Sequence, residues 1–82
     1  MDLLHLGYNN FIPKNKILLI LDVGSQQARI IVSEAKMSGK LVRLSGGQKT
    51  RAIILTTDGL VLRVALTPGT LRKRIEGRGD ED

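Results

Sequence analysis

A pair of glycines between two apolar segments constrains the fold of this chain more than any other feature. The segment Leu44–Arg51 reads Leu-Ser-Gly-Gly-Gln-Lys-Thr-Arg, and the largely apolar residues 52–57 follow it directly. Glycine readily adopts the backbone conformations of tight turns, whereas isoleucine and threonine favour strands. The pattern therefore predicts a glycine-rich turn that presents Lys49 and Arg51 between two strands.

The beginning of this segment, Leu44–Gln48, matches the signature motif of ABC-type ATPases. In those proteins the motif begins a helix and acts on ATP that is held by a Walker A loop of the form G-x-x-x-x-G-K-[ST]. The sequence contains no such loop, because Gln48 separates the glycine pair from Lys49 and no glycine has the required upstream spacing. A motif match without its structural context is weak support for nucleotide hydrolysis.

The composition indicates a small aliphatic domain. The 82 residues include no cysteine, one tyrosine and one phenylalanine, so leucine, isoleucine and valine must form the core. Such a core is marginal at this size, and small domains often gain stability by oligomerising. We expect no disulfide, metal or cofactor. The sequence shows neither an apolar run of transmembrane length nor a signal-peptide pattern, so we expect a cytoplasmic protein without a membrane partner.

The formal net charge of +5 predicts a polyanionic partner, although ordinary solubility charge would also account for it. Aromatic platforms for stacking single-stranded bases are nearly absent, which favours contacts to the backbone of duplex DNA. We expect residues 1–76 to form a single DNA-binding domain. Residues 77–82 end in three carboxylates and are predicted to be a disordered acidic tail.

Periodicity and turn residues predict an α+β domain with a small mixed or antiparallel sheet and two helices, in the order ββαβββα. Residues 3–6 form a short predicted strand. Residues 16–21 are apolar enough to predict a central strand buried on both faces. Ser25 is the expected N-cap of a helix that ends before Gly39. The apolar face of that helix is Ala28, Ile31, Val32 and Ala35.

Three further strands are predicted at residues 41–44, 51–57 and 60–65. Asp58-Gly59 is a strong hairpin signal between the last two. Thr67 is the expected N-cap of a final helix with Pro68 in its first position. The basic run of residues 72–74 points around this helix, which favours a solvated surface over a direct nucleic-acid contact.

The basic residues beside the predicted turns are the candidate binding site. Glycines allow close approach to a phosphate, lysine and arginine neutralise its charge, and neutral side chains add hydrogen bonds. If turns 13–16 and 45–51 lie at the same end of the sheet, five cations gather on one edge. The alternative is that these are scattered solvated side chains. The candidates are Lys14, Lys16, Arg43, Gln48, Lys49, Thr50 and Arg51.

No catalytic constellation accompanies them. His5 has no serine, cysteine or carboxylate placed by the sequence to make it a base, and Asp22 is better explained as a turn or cap residue. We therefore expect a protein that is not an enzyme and has no small-molecule substrate.

Several segments, taken in order and spacing, resemble a known family. The segments are Leu6–Asn10, the strand from Lys16, Ser25 with Ala28, and residues 34–36, 39–42, 47–54 and 68–75. From residue 3 to about residue 75 the chain is similar to the RemA family, the extracellular matrix regulatory protein A type of small bacterial DNA-binding regulators. The resemblance implies double-stranded DNA as partner, transcriptional control of extracellular-matrix (biofilm) genes, and ring-like homo-oligomers that present basic loops to DNA.

The resemblance also assigns phosphate contacts to Lys16, Lys49 and Arg51, with Gln48 and Thr50 assisting. In the family the position of Lys16 is usually arginine, and the loop usually reads Gly-Arg-Arg-Thr-Arg-Ala, where residues 47–52 here read Gly-Gln-Lys-Thr-Arg-Ala. Lysine lacks the bidentate geometry of arginine. Arg43 stands where the family often has an acid and would be a peripheral contact.

A second hypothesis is a non-catalytic structural or protein-interaction module whose basic edge binds an acidic partner. The two hypotheses differ in one observation. Binding to unrelated duplex DNA that weakens steeply with salt supports a DNA-binding protein.

We predict that the purified protein neither binds ATP at micromolar concentration nor hydrolyses it, because the Walker A loop is absent. Calorimetric titration and a phosphate-release assay measure the two activities. Stoichiometric ATP binding that disappears in Ser45→Ala would overturn this prediction and restore the ATPase hypothesis.

Overall fold

The computed structural model describes residues 2–77, which form an α+β domain, as predicted. The elements are β1 (Leu3–Gly7), β2 (Asn10–Pro13), a short 3-10 turn (Lys14–Lys16), β3 (Ile17–Asp22), α1 (Gln26–Ser38), β4 (Leu41–Arg43), β5 (Ala52–Thr56), β6 (Val61–Val64) and α2 (Pro68–Ile75). The predicted acidic tail, apart from residue 77, lies outside the described residues.

The domain has three layers around a four-stranded sheet in the order β3-β5-β6-β4. Strand β5 is antiparallel to both of its neighbours, β3 and β6, whereas β4 pairs with β6 in parallel. Helix α1 covers one face of this sheet through Ala28 and Ala35. The β1–β2 hairpin and α2 cover the opposite face, where the buried side chains include Leu4, Leu6 and Leu71.

Strand β5 is the centre of the domain. Its residues Ala52, Ile53 and Ile54 are each 0% exposed. Ile53 packs in the cluster beneath α1, while Ala52 and Ile54 pack in the cluster beneath the hairpin and α2. The neighbouring strand β6 is divided in the same way, with Val61 in the cluster beneath α1 and Leu62 and Val64 in the other, so the two hydrophobic clusters meet along β5 and β6.

The prediction that residues 16–21 form a central strand is wrong. The segment does form strand β3, but it lies at the edge of the sheet, with β5 as its partner. Leu18 is 62% exposed and Leu19 is 45% exposed in the single chain. The register with β5 also shifts between Ile17 and Leu19. An apolar run predicts that the side chains of a strand are buried. It does not indicate whether the same chain or another subunit buries them.

The sequence also missed strand β2, so three strands rather than two precede α1. Asparagine and proline are poor strand formers, and they stand at the two ends of this segment. The residues before it form a turn. Tyr8 and Asn9 both have positive φ, 54° and 63°, as the central residues of a type I′ hairpin turn require.

The predicted helix and hairpin boundaries are confirmed. The Ser25 hydroxyl oxygen accepts a hydrogen bond from the backbone N–H of Ala28 at 3.2 Å, and Gly39 ends α1 with a φ of 74°. Thr67 caps α2 in the same way, with Pro68 in the first position of the helix. Residues 57–60 connect β5 and β6 as an antiparallel hairpin. Short-range signals thus located these ends correctly.

Candidate nucleic-acid interface

The glycine-rich segment forms a loop across one end of the sheet. Residues 44–51 lead from the edge strand β4 to the central strand β5 and pass over the end of β6, which lies between them. The backbone N–H of Leu44 donates to the carbonyl of Arg63 at 2.8 Å, and that of Arg51 donates to the carbonyl of Val64 at 2.8 Å. Both ends of loop 44–51 are therefore fixed to β6.

The tip of this loop is a tight turn. The N–H of Gln48 donates to the carbonyl of Ser45 at 2.9 Å. Gly46 and Gly47, between them, have φ values of 60° and 84°, in the left-handed region that glycine adopts at least cost. A strand, not a helix, follows the turn, so the motif shared with ABC-type ATPases does not have its structural context here.

Exposure divides the candidate residues of the loop into two groups. Gln48, Lys49 and Arg51 are exposed, whereas Thr50 is buried at 9% exposure. Gln48 and Lys49 form a ridge with a depression on either side. One depression is lined by loop 44–51 together with Arg43 and Arg63, and the other by Arg51 and Tyr8. The exposed side chains can reach a ligand directly, whereas Thr50 supports the loop from inside.

Tyr8, at the tip of the β1–β2 hairpin, supports the turn from the other side. A Cβ atom built on Gly46 would lie 2.8 Å from three carbons of the Tyr8 ring. The ring therefore packs closely on the Gly46 backbone, and a larger residue there would have to displace it. Sequence reasoning missed this contact, because no local signal connects residue 8 with residue 46.

Turns 13–16 and 45–51 do not lie at the same end of the sheet, so the five cations do not gather on one edge. Strand β3 is antiparallel to β5, with Ile17 opposite Thr56 and Asp22 opposite Ala52. Turn 13–16 therefore lies at the end of β5 that is remote from loop 44–51. The five residues of β5 separate the two turns by about 17 Å at the rise of a strand. The structure groups Arg43, Lys49 and Arg51 but leaves Lys14 and Lys16 apart.

The two separate lysines make contacts within the domain. Lys14 Nζ donates to the carbonyl of Ile75 at 3.2 Å, near the C-terminal end of α2, where a cation also interacts favourably with the helix dipole. Lys16 Nζ lies 3.9 Å from Asp58 Oδ1, and both side chains are substantially exposed. An exposed pair of this kind contributes little to stability, so Lys16 remains available to a stronger anionic partner.

The basic run on α2 is not uniform. Arg72 and Lys73 are exposed, whereas Arg74 is half-buried and its guanidinium group donates to the carbonyl of His5 at 3.0 Å. Arg74 thus connects α2 to β1. His5 itself stacks on Phe11 with ring centroids 4.8 Å apart.

Other ligand chemistry finds little support among residues 2–77. No group of three histidine or acidic residues in this part of the chain could hold a metal ion. The Oδ1 atom of Asp22 accepts from the N–H of Gly24 at 2.8 Å, which is the turn role expected for this residue. No helix in the described range is long and apolar enough to cross a membrane.

The structure thus combines a small α+β domain with an exposed cationic loop at one end of its sheet. The chain belongs to the RemA-like family, described as extracellular matrix regulatory protein A-like, whose pattern matches residues 3–75. The resemblance noted from the sequence is thereby confirmed.

Curated relatives agree with this assignment. The chain is 37% identical over 79 residues to a regulatory protein of Synechococcus elongatus, covering 95% of this chain and 91% of the relative. It is 33% identical over 82 residues to one of Dictyoglomus turgidum, covering 100% and 95%. It is 31% identical over 82 residues to one of Clostridium kluyveri, covering 100% and 89%. The names of these relatives suggest regulation in general terms and specify no target.

We predict that Gly46→Ala destabilises the domain by ~1 kcal/mol more than Gly47→Ala, measured by denaturant unfolding. Both substitutions force alanine into a left-handed conformation, at a cost of roughly 1–2 kcal/mol. Only Gly46→Ala also meets the Tyr8 ring, because nothing lies within 4 Å of a Cβ at Gly47. In a Tyr8→Ala background the difference should vanish. An equal effect of both substitutions in the parent protein would contradict the contact.

Proposed function

We propose that the protein is a regulator that binds double-stranded DNA as a homo-oligomer, through phosphate contacts made by loop 44–51. The observation that carries this proposal is the exposed cationic loop itself. Lys49 and Arg51 project beside two glycines whose backbone is open to solvent, and both ends of the loop are hydrogen-bonded to β6. A fixed loop of this kind binds phosphates without a large cost of ordering.

Phosphate contacts of this kind carry no base sequence by themselves. Within residues 2–77, Arg74, which could have contacted DNA from α2, instead bonds to the His5 carbonyl. Specificity for a promoter would then depend on DNA shape and on repeated weak contacts made by several subunits. Gln48 would add neutral hydrogen bonds, Thr50 would hold the loop, and Arg43 would be a peripheral cation.

The edge strand β3 supports the oligomer. It has the apolar composition of a central strand, yet its outer edge has no partner strand within residues 2–77. Leu18 and Leu19 expose large apolar surfaces there, and Ile30 of α1 is 52% exposed. A second copy of the chain that covers this edge would bury these side chains and complete the sheet.

An oligomer also gives a role to Lys16. In one subunit this residue lies at the end of β5 that is remote from loop 44–51. In a closed ring, subunits meet through different surfaces, and the two ends of neighbouring domains can adjoin. We propose that Lys16 of one subunit and loop 44–51 of another contact the same duplex.

The regulated genes follow from the family rather than from the geometry. Membership in the RemA-like family supports extracellular-matrix (biofilm) genes as targets in the cytoplasm of a bacterium that makes such a matrix. Chromatin immunoprecipitation with the tagged protein tests this part. Enrichment at promoters unrelated to matrix production would refute the target assignment and leave DNA binding intact.

We predict that Lys49→Ala and Arg51→Ala each weaken duplex binding by at least ~10-fold at moderate salt. The substitution removes the same cation from every subunit of an oligomer, so its effects multiply through avidity. The slope of log K against log salt should become shallower by about 0.9 for each phosphate that the variant no longer neutralises. Titration of a fluorescent duplex over a salt series measures both quantities.

Arg72→Ala is the matched control, because the Arg72 side chain is exposed and forms no hydrogen bond or ion pair within residues 2–77. It removes the same charge from α2 instead of from loop 44–51 and should leave affinity within about twofold of the parent. Oligomer mass should be unchanged in all three variants. If Arg72→Ala abolishes binding while the loop variants bind like the parent, the interface lies on α2.

We predict that the protein in solution is larger than a dimer and that Leu18→Glu lowers its mass. The charge would be buried without a partner at the β3 edge, which is unfavourable. Met37→Glu is the control, because Met37 is 87% exposed at the far end of α1. Light scattering at micromolar concentration measures the mass. A monomeric parent protein at moderate salt would rule out the oligomer, and an unchanged mass in Leu18→Glu would exclude this edge as the interface.

A further inference from the structure

Two arginines occupy neighbouring positions on one face of the sheet. Arg43 and Arg63 are register partners in the parallel pair β4–β6, and the side chains of such partners point to the same face. Ile53, the partner of Arg63 on β5, is buried in the cluster beneath α1. The arginine pair therefore lies on the α1 face, at the end of the sheet where loop 44–51 begins.

This pairing is electrostatically unfavourable in the protein alone. Like charges opposite each other on adjacent strands destabilise a sheet. Within residues 2–77, neither guanidinium group forms a hydrogen bond or an ion pair that would offset the repulsion. An anion between the two groups would convert the repulsion into two attractive contacts.

The surroundings of the pair suit such an anion. Arg43, Arg63 and Lys49 line one depression of about 500 Å³, together with other residues of loop 45–50, and no carboxylate of residues 2–77 lines it. Gly46 and Gly47 also line this depression, and their N–H groups donate no hydrogen bond within the described residues. Successive free amides beside cationic side chains are a recurrent anion-binding arrangement.

We propose that this depression, the arginine-pair site, binds a phosphate group between Arg43 and Arg63. Each guanidinium offers a pair of parallel N–H donors that matches two phosphate oxygens, and Lys49 adds a third positive charge. The phosphate comes from a nucleic-acid backbone or from a free phosphorylated molecule, because both present the same oxygen atoms. The site does not require duplex binding, so it goes beyond the proposed function.

Binding and stability should be coupled at this site. A ligand that binds the folded state raises its stability by mass action, and here it also removes the repulsion between the arginines. In the absence of ligand, removal of one charge should stabilise the sheet. An arginine that served the fold alone would behave in the opposite way, since its loss would lower the melting temperature.

The first experiment measures thermal unfolding of the full chain in pyrophosphate and in sodium chloride of equal ionic strength. We expect 10 mM pyrophosphate to raise the Tm of the parent by at least ~2 °C over chloride. Arg43→Gln, Arg63→Gln and Arg63→Leu should lose this shift and should melt at or above the parent temperature in chloride. Arg72→Ala should keep the shift.

Two results would overturn the proposal. One is a parent protein that pyrophosphate stabilises no more than chloride does. The other is an unchanged pyrophosphate shift in both Arg63→Gln and Arg63→Leu. The glutamine variant is a control for the leucine variant, because leucine can raise the Tm through added apolar contact alone.

The second experiment identifies the source of the phosphate by titrating a duplex with the parent and with Arg63→Gln. Affinity reduced at least ~5-fold, with a shallower salt slope and competition by pyrophosphate, assigns the site to a DNA phosphate. Unchanged duplex affinity with loss of the pyrophosphate shift assigns it to a free phosphorylated molecule. A protein that binds no duplex but keeps a shift dependent on Arg63 would refute the proposed function and retain the site.

Discussion

The burial of strand β5 on both faces is the constraint on which the rest of the structure depends. Ile53 contributes to the cluster beneath α1, and Ala52 and Ile54 contribute to the cluster beneath the hairpin and α2, all without exposure to solvent. The neighbouring strand β6 joins the same two layers through Val61 on one face and Leu62 and Val64 on the other. Loop 44–51 leads directly into strand β5, so the candidate interface is attached to a strand that is buried on both faces.

The route of the chain explains why positive charge accumulates at this end of the sheet. Because β4 pairs with β6 and not with β5, the loop between β4 and β5 must cross the end of β6. The crossing brings Lys49 to the same depression as Arg43 and Arg63, which are distant from one another in sequence. Charges that repel one another in the free protein are the expected condition of a surface that binds a polyanion.

Local signals predicted much of the fold and part of the candidate site. Caps at Ser25 and Thr67 and the hairpin after β5 are set by hydrogen bonds over a few residues, so a single sequence reveals them. Strand β2 escaped prediction because asparagine and proline, which are poor strand formers, stand at its two ends. The contact between the Tyr8 ring and Gly46 was not predicted because the two residues are far apart in the chain.

The sequence by itself determined the α+β class and the exposed cationic turn, which follow from periodicity and short-range order, and the family, which follows from the resemblance of its segments to known members. Only the tertiary structure determined how these elements are arranged relative to one another. In the fold, the apolar segment of residues 17–22 lies at the edge of the sheet, and Lys16 lies away from loop 44–51. Arg63 lies beside Arg43 on the neighbouring strand. The physical reason is that strand order and direction are chosen by the burial of whole faces, which no local window of sequence contains.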